Sequence, residues 1–182
     1  MIDSKIPGLV FRENKIVGDA RGVLAELLQK GTNHELAPQI GNLYASIATG
    51  RHVPRAAHYH HKLCENQFTL TGTALWVFKD MRKGSDGTTQ AIIAGAKAPA
   101  DAKGIPVCTM DQGVMLHTHV QPEIYHIFYP LTDEPVIVVC ASSLPHDPED
   151  YIRLADTEVP GVREYIERFI TPTFSPLEKG EM

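Results

Sequence analysis

The stretch "AAHYHHKLCENQFTLTGTALWVF", residues 56–78, decides the fold. His58, His60 and His61 fall within four positions, and Glu65 follows five residues after His60. A strand-like run rich in β-branched and aromatic residues begins at once. Gly72 interrupts it where a tight turn would be needed. Side chains of a strand alternate between its faces, so His58 and His60 point the same way. Glu65 stands at odd spacing from both and would face away on an unbroken strand. A turn or bulge at His61–Cys64 is therefore expected to re-aim it inward. Two imidazoles and a carboxylate placed in this way make half of a divalent-metal site, suited to Zn, Fe, Mn, Co or Ni. The ordinary alternative is a solvated strand edge, because histidine tolerates partial exposure.

Strand signals run outward from this stretch in both directions. "LVFRENKIV", "NLYASIAT", "TQAIIA", "GVMLHTHV" and "EPVIVVCAS" are short and β-branched or aromatic, and Gly, Pro, Asp or Asn separate most of them. "RKGSDGTT" (82–89) is a turn, and the small-residue stretch "AGAKAPADAKGIP" (94–106) reads as a loop or mobile flap. "VPGVREYIERFI" sets Val162, Tyr165, Ile166 and Phe169 on one helical face. The Pro-rich tail "TPTFSPLEKGEM" is expected to dock loosely or fray. Many short strands with regular turns predict an all-β barrel or jelly roll.

The 182 residues suit one domain, and 43% hydrophobic content supplies a core. A net charge of −5 without a Lys/Arg run argues against nucleic-acid binding, while leaving room for a local basic pocket. Three cysteines without a CxxC fit a reducing compartment better than a disulfide scaffold. No apolar h-region and no membrane-length apolar run are visible, so a cytoplasmic protein is expected.

The spacing H-x-H-x4-E-x6-G, formed by His58, His60, Glu65 and Gly72, resembles the first motif of the cupin superfamily. That resemblance implies a metal held inside a small jelly-roll barrel by His58, His60, Glu65 and a third histidine from a later strand. In "QPEIYHIFYPLTDEP" this is His126, with His117 and His119 of "MLHTHV" as competitors. The family's Pro and Gly before that histidine are here Gln121 and Glu123, and its following Asn is Pro130. The implied domain fills 1–182, with a barrel over about 8–156 and a C-terminal helix and tail over 157–182.

Four further stretches resemble one cupin branch, the dTDP-4-dehydrorhamnose 3,5-epimerases and related sugar-nucleotide enzymes. They are "GDARGVLAEL", "RAAHYH", "GTALWVFKDMRKGS" and "QPEIYHIFYPLTDE". The resemblance implies a dTDP- or UDP-sugar ligand, with Arg21, Arg55 and Glu26 among the substrate-binding residues and the arginines on the diphosphate. It also implies a base at His58. The departures are specific. The family's Lys aligns with Glu65, its Tyr aligns near Val139, its S-x-K-D has no counterpart, and its Gln has become His60.

A ligating His58 cannot also be a free base. The expected function is therefore a metal-binding epimerase or isomerase of a nucleotide-linked keto-deoxysugar, with His61, His119, Tyr44 and Tyr125 as candidate bases. A metal-dependent oxygenase or lyase on a small organic acid is one alternative. A non-catalytic small-molecule-binding cupin is the other. Such barrels commonly pair through edge strands, so a homodimer is expected.

Overall fold

The computed structural model describes residues 2–29 and 39–169. Its strands form two six-stranded sheets. In one, the order is β2 (Gly22–Ala25), β1 (Leu9–Asp19), β9 (Val114–Val120), β5 (Glu65–Thr71), β11 (Val136–Ser142), β3 (Asn42–Ala48). In the other it is β12 (Tyr151–Arg153), β4 (Arg55–His60), β10 (Ile124–Pro130), β6 (Thr73–Asp80), β7 (Thr89–Gly95), β8 (Val107–Thr109). All pairs are antiparallel except β7 with β8. This is the expected all-β cupin jelly roll, with the sheets curled face to face.

Alternation along β6 explains its unbroken apolar run. Ala74, Trp76 and Phe78 enter the core between the sheets with Phe11, Leu116, Phe128 and Val138. Leu75 and Val77 face the other way and are covered by Val159, Val162 and Ile166. Both faces are buried, so both are hydrophobic. The covering helix, α1 (Val162–Glu167), is shorter than its periodic pattern, and Tyr165 and Phe169 pack on the same layer. The tail from 171 onward lies outside the described residues.

Gly72 makes the expected turn between β5 and β6 at φ 61°. A Cβ there would lie 2.8 Å from Val136 and 3.0 Å from the Pro135 carbonyl oxygen. The stretch 94–106 is tied down rather than a loose flap. Ala94 and Gly95 still belong to β7, Ala96 N donates to Gly72 O at 2.6 Å, and Ile105 is buried.

Candidate metal centre

β4 and β10 lie side by side with His58 opposite His126. The register shifts at the next position, where Ile127 pairs with Ala56, so Ala57 is left as a β-bulge. Ala56 and Ala57 both hold positive φ, 66° and 58°. Such backbone costs roughly 1–3 kcal/mol per residue and clusters at functional sites. Beyond the bulge, His58 and His60 both enter the barrel and are buried.

The chain then turns from one sheet to the other at residues 61–64, and Glu65 opens β5 facing back across the interior. The re-aiming turn expected from the spacing is present, and its anchor is Asp150. That buried carboxylate accepts the backbone N–H of His61 at 3.1 Å, Lys62 at 2.9 Å and Leu63 at 3.2 Å.

The donor atoms of His58, His60, Glu65 and His126 all lie within 4.8 Å of one another, and all four residues are buried. His126 Nδ1–H donates to Ile124 O at 3.1 Å, since a carbonyl can only accept. Nε2 is then the bare nitrogen, and it stands 3.0 Å from Glu65 Oε2 without hydrogen-bond alignment. His60 Nε2 is 3.7 Å from Glu65 Oε1, and its Nδ1 is 3.5 Å from Asp150 Oδ2. Tyr44 O–H donates to Glu65 Oε1, and Gln67 Nε2–H to Oε2 at 2.9 Å.

Both ring nitrogens of His58, both of His60 and Nε2 of His126 are buried without a hydrogen-bond partner. Each such orphan costs about 1–3 kcal/mol. A divalent cation would take up one lone pair from each ring. Donors at roughly 2.0–2.2 Å from a tetrahedral metal stand about 3.3–3.6 Å apart, so the widest pair of this set would contract by about an ångström on binding. The residues therefore fit a first-row divalent metal.

The electrostatics agree. Burial holds His58 down at about 3, helped by His126 and His60. Burial lowers His60 to about 4 against the pull of Glu65. Both rings are neutral, as ligation requires. For Glu65, burial opposes ionisation, but positive charge on the His126 and His60 side and the Tyr44 O–H outweigh it and hold the carboxyl well below its usual range. Burial and then Glu65 push the Tyr44 hydroxyl far up, so it keeps its proton.

The cluster is open to a cavity of about 450 Å³. Its floor is His58, Glu65 and His126, its walls include Tyr44, Trp76, Phe128, Val138 and Cys140, and exposed Arg55, His146 and Arg153 stand at its mouth. Arg55 Nε donates to Ser46 Oγ at 3.0 Å. Neither Arg55 nor Arg153 makes an ion pair with a described residue. Tyr151 lays its ring 4.3 Å from that of His60 and 4.9 Å from His58, with the Arg153 guanidinium 5.4 Å from its centre.

The expected ligand set thus converges, with His126 as its third histidine, and Tyr44 and Arg55 join it. Three candidate bases do not. Tyr125 precedes His126 on β10 and so faces the layer under α1, donating to Leu154 O at 3.1 Å. His119 and His117 lie on the outer face of their sheet, sharing Asn66 Oδ1 at 3.2 and 2.7 Å, and neither lines the barrel interior. His61 is exposed beside Glu123, with 3.5 Å between Nδ1 and Oε1. Arg21 sits in the β1–β2 hairpin, 91% exposed and paired with Asp19 at 2.5 Å, and exposed Glu26 lies just beyond that hairpin. Neither lines the cavity.

Asp150, Tyr151, Arg153, His146 and Gln67 carried no recognisable pattern. Four of the five arrive through "HDPEDYIR", whose placement depends on the pairing of β12 with β4.

No protein-family model matches the sequence, and no curated protein matches it. Solved structures do. A dTDP sugar isomerase from Desulfovibrio desulfuricans G20 superposes with a TM-score of 0.68 at 18% identity, over 85% of this chain and 90% of that one. ChmJ, a 3'-monoepimerase from Streptomyces bikiniensis in complex with dTDP-quinovose, gives 0.69 at 17%, over 88% and 77%. QdtA, a sugar 3,4-ketoisomerase from Thermoanaerobacterium thermosaccharolyticum in complex with TDP, gives 0.58 at 17%, over 91% and 99%. At these identities the likeness is one of fold, and the chain has the cupin barrel of these sugar-nucleotide enzymes.

Proposed function

We propose that the chain is a metal-binding isomerase or epimerase of a nucleotide-linked keto-deoxysugar, with dTDP or UDP as the nucleotide. His58, His60, Glu65 and His126 would hold the metal. Bound there, it would act as a Lewis acid toward a carbonyl oxygen, supplying positive charge where an enolate develops. The observation that carries this reading is the buried convergence of unpartnered imidazole nitrogens on Glu65, at the floor of a cavity whose mouth carries Arg55 and Arg153.

The chain's own residues divide the remaining work. Arg55 and Arg153 line the cavity with guanidiniums that have no carboxylate partner among the described residues, suited to a diphosphate. Trp76 and Phe128 give the cavity an apolar wall that limits water. Tyr44, kept protonated, holds Glu65 in place through its hydrogen bond. The fold's sugar-nucleotide neighbours favour this substrate class. The test is incubation of the metal-loaded protein with a dTDP-linked 4-keto-6-deoxy sugar in D2O, followed by proton NMR. Loss of the hydrogens next to the carbonyl is expected, and their persistence rejects the reading.

A second reading, an oxygenase or lyase on a small organic acid, is favoured by one observation: three histidines and a glutamate converge where the resemblance implied a free base. The arginines would then hold a carboxylate. We further propose a homodimer in a reducing compartment. Exposed Leu43 and Ile47 on edge strand β3, with Val17, Val23 and Leu24 on the opposite hairpin, support pairing. The three unpaired cysteines support the compartment. Among the described residues no helix is long and apolar enough to cross a membrane.

A further inference from the structure

We infer that His146 is the proton-transferring residue of this cavity, a role that rests on the isomerase reading above. The cluster leaves that role open. His58, His60 and His126 are the metal ligands of that reading, and the Tyr44 O–H already donates a hydrogen bond to Glu65. Among the described residues lining the cavity, His146 is the one imidazole outside the cluster.

Its placement suits the task. The His146 ring lies 5.0 Å from that of Tyr151, which rests on His60 and His58, so His146 stands one aromatic ring away from the cluster. Its ring nitrogens make no hydrogen bond to a described residue, which leaves them available to a ligand.

The loop that presents it is pinned on both sides. Gly41 N donates to Ser142 O at 2.8 Å, and a Cβ on Gly41 would meet the Leu144 backbone at 2.4–2.8 Å. Ser142 Oγ donates to Leu144 O at 2.9 Å, and Asp147 accepts from Glu149 N at 3.0 Å. An exposed histidine held over a cavity mouth by a braced loop is a positioned group rather than a free surface side chain.

The step balances without a co-reactant. The imidazole lone pair takes the proton from the carbon next to the carbonyl. The C–H electron pair becomes the enolate double bond, and the carbonyl π pair moves onto oxygen. The imidazolium returns its proton to solvent or to the carbon skeleton, the enolate is reprotonated, and the net change is stereochemical or positional. General bases of this kind contribute roughly 10²–10⁴-fold.

The experiment uses the metal-loaded protein with dTDP-linked and UDP-linked 4-keto-6-deoxy sugars in D2O. Wild type is compared with His146→Gln and with His146→Ala with and without added imidazole. Metal content and dTDP affinity are measured on each. The inference expects exchange to fall by about 100-fold or more in both variants, partial recovery with imidazole, and metal content and dTDP affinity close to wild type. Exchange in His146→Gln near the wild-type rate overturns the role of His146 and leaves the isomerase reading standing. A variant that loses metal or dTDP along with exchange overturns it in favour of a structural role. No exchange in wild type rejects the isomerase reading itself, and the inference with it.

Discussion

His126 turns its bare Nε2 toward Glu65 Oε2 at 3.0 Å because its Nδ1–H is spent on the Ile124 carbonyl. A lone pair facing a carboxylate at that distance is repulsive unless a cation or a proton stands between them. The backbone bond prevents the ring from escaping by exchanging tautomers. Such partners fix which nitrogen a metal meets and sharpen its basicity. The centre is thus built by β10 itself, two residues upstream of the ligand.

The first expectation follows from that geometry. Purified protein, or protein reconstituted after chelation, should carry a first-row divalent metal by elemental analysis. His126→Ala should weaken its binding by at least roughly 10-fold. His117→Ala should leave it unchanged, since His117 bonds Asn66 on the other face of its sheet. Retention of metal by His126→Ala together with loss in His117→Ala would place the centre elsewhere.

A second expectation concerns acid and the metal-free protein. His58 and His60 lie below the ordinary histidine range in the folded state, at about 3 and about 4. The unfolded chain therefore binds more protons than the folded one as pH falls through 6.5 toward 4. Stability is fully present above about 6.5 and is lost across that window, at roughly 1.4 kcal/mol per pH unit for each imidazole that titrates. Denaturant titrations of chelated protein at pH 7.5, 6 and 5 should show this fall. Bound metal should raise stability across this range without flattening the fall, because ligation keeps the folded rings unprotonated while the unfolded imidazoles still take up protons. A flat profile would mean that the rings are already protonated or exposed.

How much of this was legible varies with the range of the interaction. His58, His60 and Glu65 lie within eight residues of one another, so alternation and one re-aiming turn were enough to bring them together. His126 needed only a motif on a single later strand. Tyr125 and His119 were misjudged because alternation says that neighbours face apart without saying which face is inside. On β6, β9 and β10 both faces are buried, which erases the polar side that would have told them apart. The bulge at Ala56–Ala57 was invisible, since alanine carries no signal for positive φ. Asp150, Tyr151 and Arg153 depended on a three-residue strand, too short for any periodicity.

Asp150 supports a third expectation. Its carboxylate takes three successive N–H groups of the turn before Glu65 and stands beside His60. Asp150→Ala would leave the Lys62 and Leu63 donors without that acceptor, with His61 N–H keeping only the Asp150 backbone carbonyl at 3.4 Å, and should cost about 2–4 kcal/mol in urea unfolding. It should also weaken metal binding by roughly 10-fold, because the turn aims Glu65. Asp150→Asn keeps the oxygen that serves His61 and Lys62 but sets an NH2 against Leu63 N–H, so an intermediate loss is expected. Wild-type stability and metal affinity in Asp150→Ala would show that the turn holds by itself.

The last expectation separates the arginines. Arg55 and Arg153 both line the cavity without an ion-pair partner among the described residues, whereas Arg21 is paired with Asp19 on an exposed hairpin. Calorimetric titration of dTDP should show Arg55→Ala and Arg153→Ala each losing roughly 2–3 kcal/mol, about 30- to 150-fold in affinity. Arg153→Lys should recover only part of this, because an ammonium keeps the charge but not the two-pronged donor face. Arg21→Ala should have the smallest effect of the three. Its guanidinium is outside the cavity of its own chain and already has a carboxylate. None of these changes touches a metal ligand, so metal content should stay at the wild-type level and serves as the folding control. Equal dTDP affinity in wild type, Arg55→Ala and Arg153→Ala would remove the nucleotide from the reading. The same arginines would then be titrated with small dicarboxylates, where a comparable loss would bring the organic-acid reading forward.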